Sequence, residues 1–475
     1  MYRPMELDAV VVGSGPNGLA AAITLARAGK TVLLREAKET LGGGCRTAEL
    51  TVSGFRHDVC SAVHPLALAS PFFRSIDLAS LGVEWIHPPA CLAHPLDGEP
   101  AVLVYKSIET TTRGLSIDGP AYQRLIGGFL HRWKELTGEL LKPLGCTKSP
   151  YLLFKFGRLA LRSAASLAQS RFKTKQAQAL FGGASGHAIF PLERPSSAAF
   201  GLMMCLLAHA VGWPIARGGS QAIVDALASY FQSLGGKIEL AAPVFHISDL
   251  PRARTYLFDL TPLQLAKIAG SILPEDYVKL LTRHKHGPGV FKVDWALKGP
   301  IPWSDPNCLK AGTLHLCGTL PEICLAERQA WEGTAPNNPF VLVCQPSLFD
   351  KARAPQGSHT AWAYCHVPNG CTVDMTELIE RQLERFAPGF KDVVLARHTM
   401  GPADMEEYNP NYIGGDIAGG IQTFRQIFFR PMGRWTAYAT PVKGLYMCSS
   451  SMPPGGGVHG MCGHLAALKA LKDMS

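Results

Sequence analysis

The chain has 475 residues, enough for about three domains and a large buried core. It is 47% hydrophobic and only 17% charged, against about 25% charged in an average protein, which excludes a disordered chain and predicts an unusually apolar surface. Thirteen cysteines without a Cys-x-x-Cys pair argue against a redox dithiol, a zinc ribbon or an iron-sulfur centre, and most read as reduced core residues of a cytoplasmic protein; no metal site is expected.

Residues 1–8 lead straight into an apolar strand at 9–12, with no targeting stretch before it. The strand runs into Gly13-Ser14-Gly15-Pro16-Asn17-Gly18. A helix follows with Leu19, Ala22, Ile23 and Ala26 on one stripe, then a second strand at 31–35, Glu36, and Gly42-Gly43-Gly44-Cys45. Gly13 suits the sharp turn, Gly15 the close approach of a pyrophosphate and Gly18 the packing of helix on strand, while the helix N-terminus presents free N–H groups to the phosphates. Glu36 follows at the spacing at which a carboxylate accepts hydrogen bonds from a ribose diol, which disfavours a 2′-phosphate. The glycine triplet after Glu36 is a second flexible stretch that a plain NAD domain does not need and a longer flavin dinucleotide does.

After Asp58 the strand-helix alternation is lost, and a long, largely helical region is predicted over 122–141, 151–180 and 196–211. The most apolar run, 198–211, is too short to span a bilayer and contains His209. Most of the net charge of +9 lies in residues 142–175, which hold eight Lys or Arg and no Asp or Glu, interleaved with Tyr151, Leu152, Leu153, Phe154, Phe156, Leu159 and Leu161. This pattern suits an amphipathic helix on an anionic membrane surface, and equally a basic solvated face. No module accompanies it that would bind nucleic acid.

The alternation returns at Gly218-Gly219-Ser220, with Ser220 placed to cap a helix ending at Gly235-Gly236, and strands at 237–240 and around Val244. Residues 256–260 form a buried strand running into Thr261-Pro262, the start of another helix. From Val290 the period becomes two. Phe291, Val293, Trp295 and Leu297, and then Thr360, Trp362, Tyr364 and His366, mark two-faced strands, with a more apolar strand at 340–344 and a helix from Asp374. Near the C-terminus a short strand at 445–449 precedes Pro453-Pro454-Gly455-Gly456-Gly457-Val458-His459-Gly460 and a helix at 465–471. The expected fold is α/β: a discontinuous Rossmann-type domain of residues 1–75, 215–285 and 415–475, and an α+β substrate domain of 76–214 and 286–414 that carries the basic, partly apolar segment 142–211.

The cassette, Gly54-Phe55-Arg56-His57-Asp58, residues 213–221 (Trp213 to Gln221), Asp259-Leu260-Thr261-Pro262 and the block from Leu445 to Gly460 together resemble the FAD-dependent family of phytoene desaturases, carotenoid isomerases and amine-oxidase-like enzymes. Within it, the chain resembles the branch of pyridine nucleotide-disulfide oxidoreductase domain-containing proteins. The resemblance implies FAD, held by Gly13, Ser14, Gly15, Pro16, Asn17, Gly18, Glu36, Gly42, Gly43, Gly44 and Cys45 at one end, by Val244 at the adenine, and by Gly456, Gly457 and Val458 at the other end. Two positions depart from the family: Gly44 stands where many members have Arg, which leaves Arg46 as the nearby basic residue, and Ser449-Ser450 stand where some have an acid.

No second Gly-x-Gly-x-x-Gly follows a strand, which points to oxygen or a quinone as electron acceptor rather than a pyridine nucleotide. His459 is the first candidate for proton transfer near the ring and His64 the second. His57 has the strongest structural rival, since His57-Asp58 reads as a loop pin, His464 is a further candidate, and His187 reads as a loop residue beside a channel. The implied activity is desaturase- or dehydrogenase-like oxidation of a largely apolar, polyene or isoprenoid substrate. The alternatives are a carotenoid-type isomerase without net redox change and an FAD-holding interaction protein. Oligomeric state is left open.

Overall fold

The computed structural model describes residues 7–143, 145, 147–423, 426 and 438–475. Two sheets organise it. The first is a five-stranded parallel sheet with the spatial order Leu445–Met447, Ala253–Phe258, Leu7–Val12, Val32–Arg35, Lys237–Glu239. The central strand pairs Val11 with Leu257 on one side and Leu34 on the other, and burial on both faces explains its continuous apolar run from Ala9 to Val12. Its strands come from both ends and the middle of the chain, as expected for a discontinuous Rossmann-type unit. The helix Pro16–Arg27 packs on this sheet, and the C-terminal helix Met461–Met474 packs on that helix. The crossing is close: a Cβ on Gly463 would lie 1.7 Å from the carbonyl O of Asn17.

The second sheet has seven strands in the order Val394–Met400, Gly289–Leu297, His359–Val367, Val341–Cys344, Ala311–Leu316, Ala90–Leu96, Glu99–Val104. Neighbours are antiparallel except for the parallel pair Ala311–Leu316 and Ala90–Leu96. The period of two is realised as two working faces. Phe291, Val293, Trp295 and Leu297 pack with Ile379, Leu383 and Phe386 of the helix Thr376–Phe386, while Trp362 and Tyr364 point to the opposite side, against Ala62 and Val63.

Four expectations are corrected. The hairpin of Ala90–Leu96 and Glu99–Val104 lies between Asp58 and the first predicted helix, where no strand is expected; its first strand lacks β-branched residues and contains Pro95, so its strand propensity is poor, although Asp97-Gly98 is a hairpin-turn dipeptide. Residues 182–186 are not a loop but the end of the helix Lys175–Gly186, whose glycines admit close neighbours. No strand forms at Val244: after Lys237–Glu239 the chain follows residues 36–38 through single backbone bonds, Ala242 N–H to Glu36 O at 2.9 Å and Ala241 N–H to Lys38 O at 2.9 Å. Ser220 does not cap its helix by side chain; its hydroxyl donates to Ser61 O at 2.5 Å and its N–H to Asp58 at 2.7 Å.

Asp58 also joins the two sheets. It accepts from Thr47 Oγ1 at 2.8 Å and faces Arg353 Nη2 at 2.9 Å, and Arg353, fully buried, is held from its other side by Asp350 at 3.1 Å. His57 Nδ1 lies 3.5 Å from Asp294, itself paired with Lys292, so His57 and Asp58 pin the junction between the sheets.

Candidate nucleotide site and adjoining cavity

The helix Pro16–Arg27 starts with a proline, and its N-cap Gly15 supplies no capping side chain; of the first-turn N–H groups Gly18 is taken by Asp259, which leaves that of Asn17 for an anion. A Cβ on Gly18 would lie 2.0 Å from the carbonyl O of Gly13, which makes Gly18 the packing glycine of the turn. At the end of the second strand Glu36 accepts from Ser14 N–H at 3.0 Å, from the Ser14 hydroxyl, and from Lys38 N–H at 3.0 Å. Arg46 Nη2 reaches the same carboxylate at 3.2 Å and Thr40 O at 2.7 Å, so Arg46 is committed to the ribose-side acid.

One cavity of about 950 Å³ begins here. It is lined by Val244, Lys38, Glu36 and the glycine loop, by Gly43, Gly44 and Cys45, and by Gly456, Gly457 and Val458 from the other end of the chain. Every residue expected to touch the dinucleotide lines this cavity except Gly18 and Gly42, which stand behind the wall. The space suits a dinucleotide in its donors as well as its length: bare amides at the phosphate turn, an acid at the ribose, and Arg35, Lys38 and Lys267 on the wall to offset negative charge. Burial pushes the Cys45 thiol up to about 12, so it is an unreactive spacer.

Sequence reasoning missed Asp259 as part of the phosphate turn. It follows the strand Ala253–Phe258, accepts from Gly18 N–H at 2.9 Å, and would lie 2.7 Å from a Cβ on Gly15. Burial, reinforced by the Glu36 carboxylate against the Gly18 hydrogen bond, raises its pKa to about 7. The signal available was an acid at the end of a second strand that must sit beside the first. Ser449, at the departure from the family pattern, donates to Leu260 O at 2.7 Å and so braces that turn.

Beyond the glycines the cavity turns apolar, with Phe156, Met203, Met204, Leu207 and Trp213 on one wall and Leu342, Trp362 and Tyr364 on the other. Trp362 stacks on Tyr364 with centroids 5.9 Å apart. His64 lines the cavity at the junction. Its Nε2 meets Ser220 Oγ at 2.9 Å, and because that hydroxyl donates to Ser61 O, the imidazole N–H sits on Nε2 and Nδ1 keeps its lone pair. Burial lowers its pKa to about 4.

His459 is placed otherwise. It accepts from Met461 N–H on Nδ1 at 3.0 Å and faces Gly455 O through Nε2 at 3.1 Å, is buried, and does not line the cavity. Both nitrogens lock the glycine turn, so its geometry is that of a structural histidine. His464 meets Thr24 Oγ1 at 2.9 Å on the helix pair and is likewise away from the cavity. His187 caps the helix Lys175–Gly186 and does line the apolar end.

Residues 11–74 match the family model of the NAD(P)-binding Rossmann-like domain. The five-stranded sheet to which these residues belong also takes strands from the middle and the C-terminal end of the chain. The chain has the overall fold of putrescine oxidase, with a TM-score of 0.62 at 17% identity over 98% of this chain and 99% of that one. Its fold is amine-oxidase-like. Over 99% of its length the chain is 25% identical to mouse pyridine nucleotide-disulfide oxidoreductase domain-containing protein 2, covering 94% of that protein. Over 51% of its length it is 27% identical to the zebrafish (Danio rerio) all-trans-retinol 13,14-reductase, covering 43% of that protein. Relatives and fold neighbour are named as oxidoreductases. Among the described residues no helix is long and apolar enough to cross a membrane, and no cluster of three His, Cys, Asp or Glu side chains could hold a metal ion.

Proposed function

We propose that the protein is an FAD-dependent oxidoreductase acting on a largely apolar substrate. The observation that carries this reading is the single cavity joining the dinucleotide seat to the apolar chamber. Bound there, FAD would supply the two-electron acceptor. The chain's own part is to hold the dinucleotide through the glycine loop and Glu36, to exclude water with the Met203, Leu207, Trp362 and Tyr364 walls, and to place His64, unprotonated at its buried Nδ1, on the cavity wall as the acceptor of a proton released when a carbon-carbon double bond forms. The similarity to a retinol reductase favours polyene or isoprenoid substrates, and oxygen or a quinone fits as the final acceptor.

The test is anaerobic mixing of the flavin-loaded protein with long polyenes. Bleaching of the flavin together with a product lighter by two hydrogens supports the reading. A product of unchanged mass contradicts it in favour of an isomerase, and no bleaching with any polyene contradicts it in favour of a protein that holds FAD without turnover.

We also propose that substrate reaches the cavity from an anionic lipid surface. The helix Pro150–Ala160 turns Phe156 and Ala160 into the cavity wall and leaves Tyr151 72% and Phe154 63% exposed, while Leu161, 50% exposed, is itself on the cavity wall. Basic side chains of the same segment, Lys148, Lys155, Arg158 and Arg162, surround these aromatics with no acid between them. Flotation with anionic liposomes and not with neutral ones is the expected result; equal partitioning to both, or to neither, refutes it.

A further inference from the structure

A cluster of three histidines borders the apolar chamber and has no part in the reading above. His187, on the cavity wall, faces His315 with Nε2 3.2 Å from Nε2. Behind them His94 Nε2 lies 2.6 Å from the carbonyl O of Gly318. The three rings can gather because Gly183 has no side chain: a Cβ there would lie 2.7 Å from His315 Nδ1 and 3.0 Å from His94 Nδ1. His94 and His315 are fully buried, and their Nδ1 atoms have no hydrogen-bond partner.

The chain of tautomers follows from one fixed end. A carbonyl oxygen only accepts, so His94 carries its proton on Nε2 and turns a lone pair on Nδ1 toward the Gly183 gap. His315 Nδ1 borders the same gap without a hydrogen bond to it, and a proton on His315 Nδ1 avoids setting two lone pairs across that gap. His315 Nε2 is then an acceptor, His187 Nε2–H donates to it, and His187 Nδ1 is left as a bare acceptor. Burial keeps the set neutral, lowering the pKa of His187 to about 3 and that of His94 to about 4. The carboxylates on the cavity wall lie elsewhere: Glu36 and Asp259 at the nucleotide, and Glu139 paired with Lys142 at 2.9 Å. Among the described residues a cationic amine therefore has no counter-charge in this chamber.

We propose that His187 is the hydrogen-bond acceptor for a hydroxyl group on an otherwise apolar substrate, so that the chamber selects apolar alcohols over the corresponding ethers, hydrocarbons and amines. This rests on the reading of the chamber as a substrate site. A hydroxyl can donate to a bare nitrogen, whereas an ether or a hydrocarbon cannot, and an ammonium loses its hydration without gaining an anion.

The test uses farnesol, farnesyl methyl ether, farnesene and farnesylamine as probes of the flavin-loaded protein, with binding read by quenching of tryptophan fluorescence; Trp213 lies 5.6 Å from His187 between ring centroids. Farnesol is expected to bind about tenfold more tightly than the other three, the return of one hydrogen bond to a desolvated group. His187→Leu should bring farnesol to within about twofold of the ether while leaving the ether's own affinity in place, and His187→Gln, which keeps an acceptor, should restore part of the preference. Equal binding of the four probes, no binding of farnesol, or an intact preference in His187→Leu overturns the proposal. Flavin content is measured on the same samples by absorbance. Flavin-loaded protein without alcohol preference defeats only the His187 assignment, whereas alcohol preference in a chain unable to bind flavin defeats only the oxidoreductase reading.

Discussion

Replacing Asp259 by Asn should change how stability depends on pH. Asp259 has a folded pKa of about 7 against 3.8 for an ordinary Asp, chiefly because burial penalises its charged form. The folded chain therefore holds this proton after the unfolded chain has released it. The contribution of the neutral carboxyl is fully present below the unfolded value of 3.8 and is lost as pH rises through about 7. Three pKa units at about 1.4 kcal/mol each set an upper limit of about 4 kcal/mol, of which about 2.7 kcal/mol falls between roughly pH 5 and pH 7. The buried imidazoles of His64, His94 and His459, lowered to about 4, act in the opposite direction over the acidic part of this range, so the raw curve mixes the two. The difference between Asp259→Asn and wild type removes them. Urea midpoints of the nucleotide-free proteins, taken in half-unit steps, should show the variant gaining about 1.4 kcal/mol per pH unit up to about pH 7 and then a plateau. A difference that stays flat with pH refutes a buried acid titrating near neutrality beside the phosphate turn. Because a diphosphate would add negative charge next to Asp259, wild-type affinity for FAD should also weaken above about pH 7, and the Asn variant should not follow.

Glu36→Gln removes the charged acceptor at the ribose position and should weaken dinucleotide affinity about tenfold to a hundredfold by calorimetry; unchanged affinity would show that Glu36 serves only Ser14 and Arg46. Gly463→Val forces a side chain into Asn17 O, 1.7 Å from where its Cβ would be, and should lower stability by at least about 1–3 kcal/mol and release flavin on gel filtration. Retention of both would place the helix contact outside the binding function. His459→Ala loses two hydrogen bonds to backbone and should destabilise by about 1–3 kcal/mol, while turnover of the folded, flavin-loaded fraction stays within about twofold; a large fall in turnover at intact stability would return His459 to the chemistry.

The nucleotide half was legible because its physics is local. A strand, a glycine turn, a helix and Glu36 follow one another within about 30 residues, and each residue type answers a requirement of the turn itself. The C-terminal block at Gly456, Gly457 and Val458 was readable for the same reason. The chamber was not, because its residues do their work across the fold. His187, read as a loop residue, gains its meaning from His315, 128 positions away, and from the bare Cα of Gly183, while Gly182 and Gly186 admit Leu320 and Phe340 to a helix. Asp259 is a plain motif residue until the sheet register puts its strand beside Leu7–Val12. The hairpin at Ala90–Leu96 was hidden by weak strand propensity, and only Asp97-Gly98 pointed to it.

The most direct measurement is the absorption spectrum of the purified, FAD-reconstituted protein, followed by identification of the nucleotide released on heating. The account predicts an oxidised-flavin spectrum and close to one FAD released per chain, with the bound fraction falling in Gly463→Val. A colourless protein that releases no FAD after reconstitution, or one that binds NAD in its place, would contradict it.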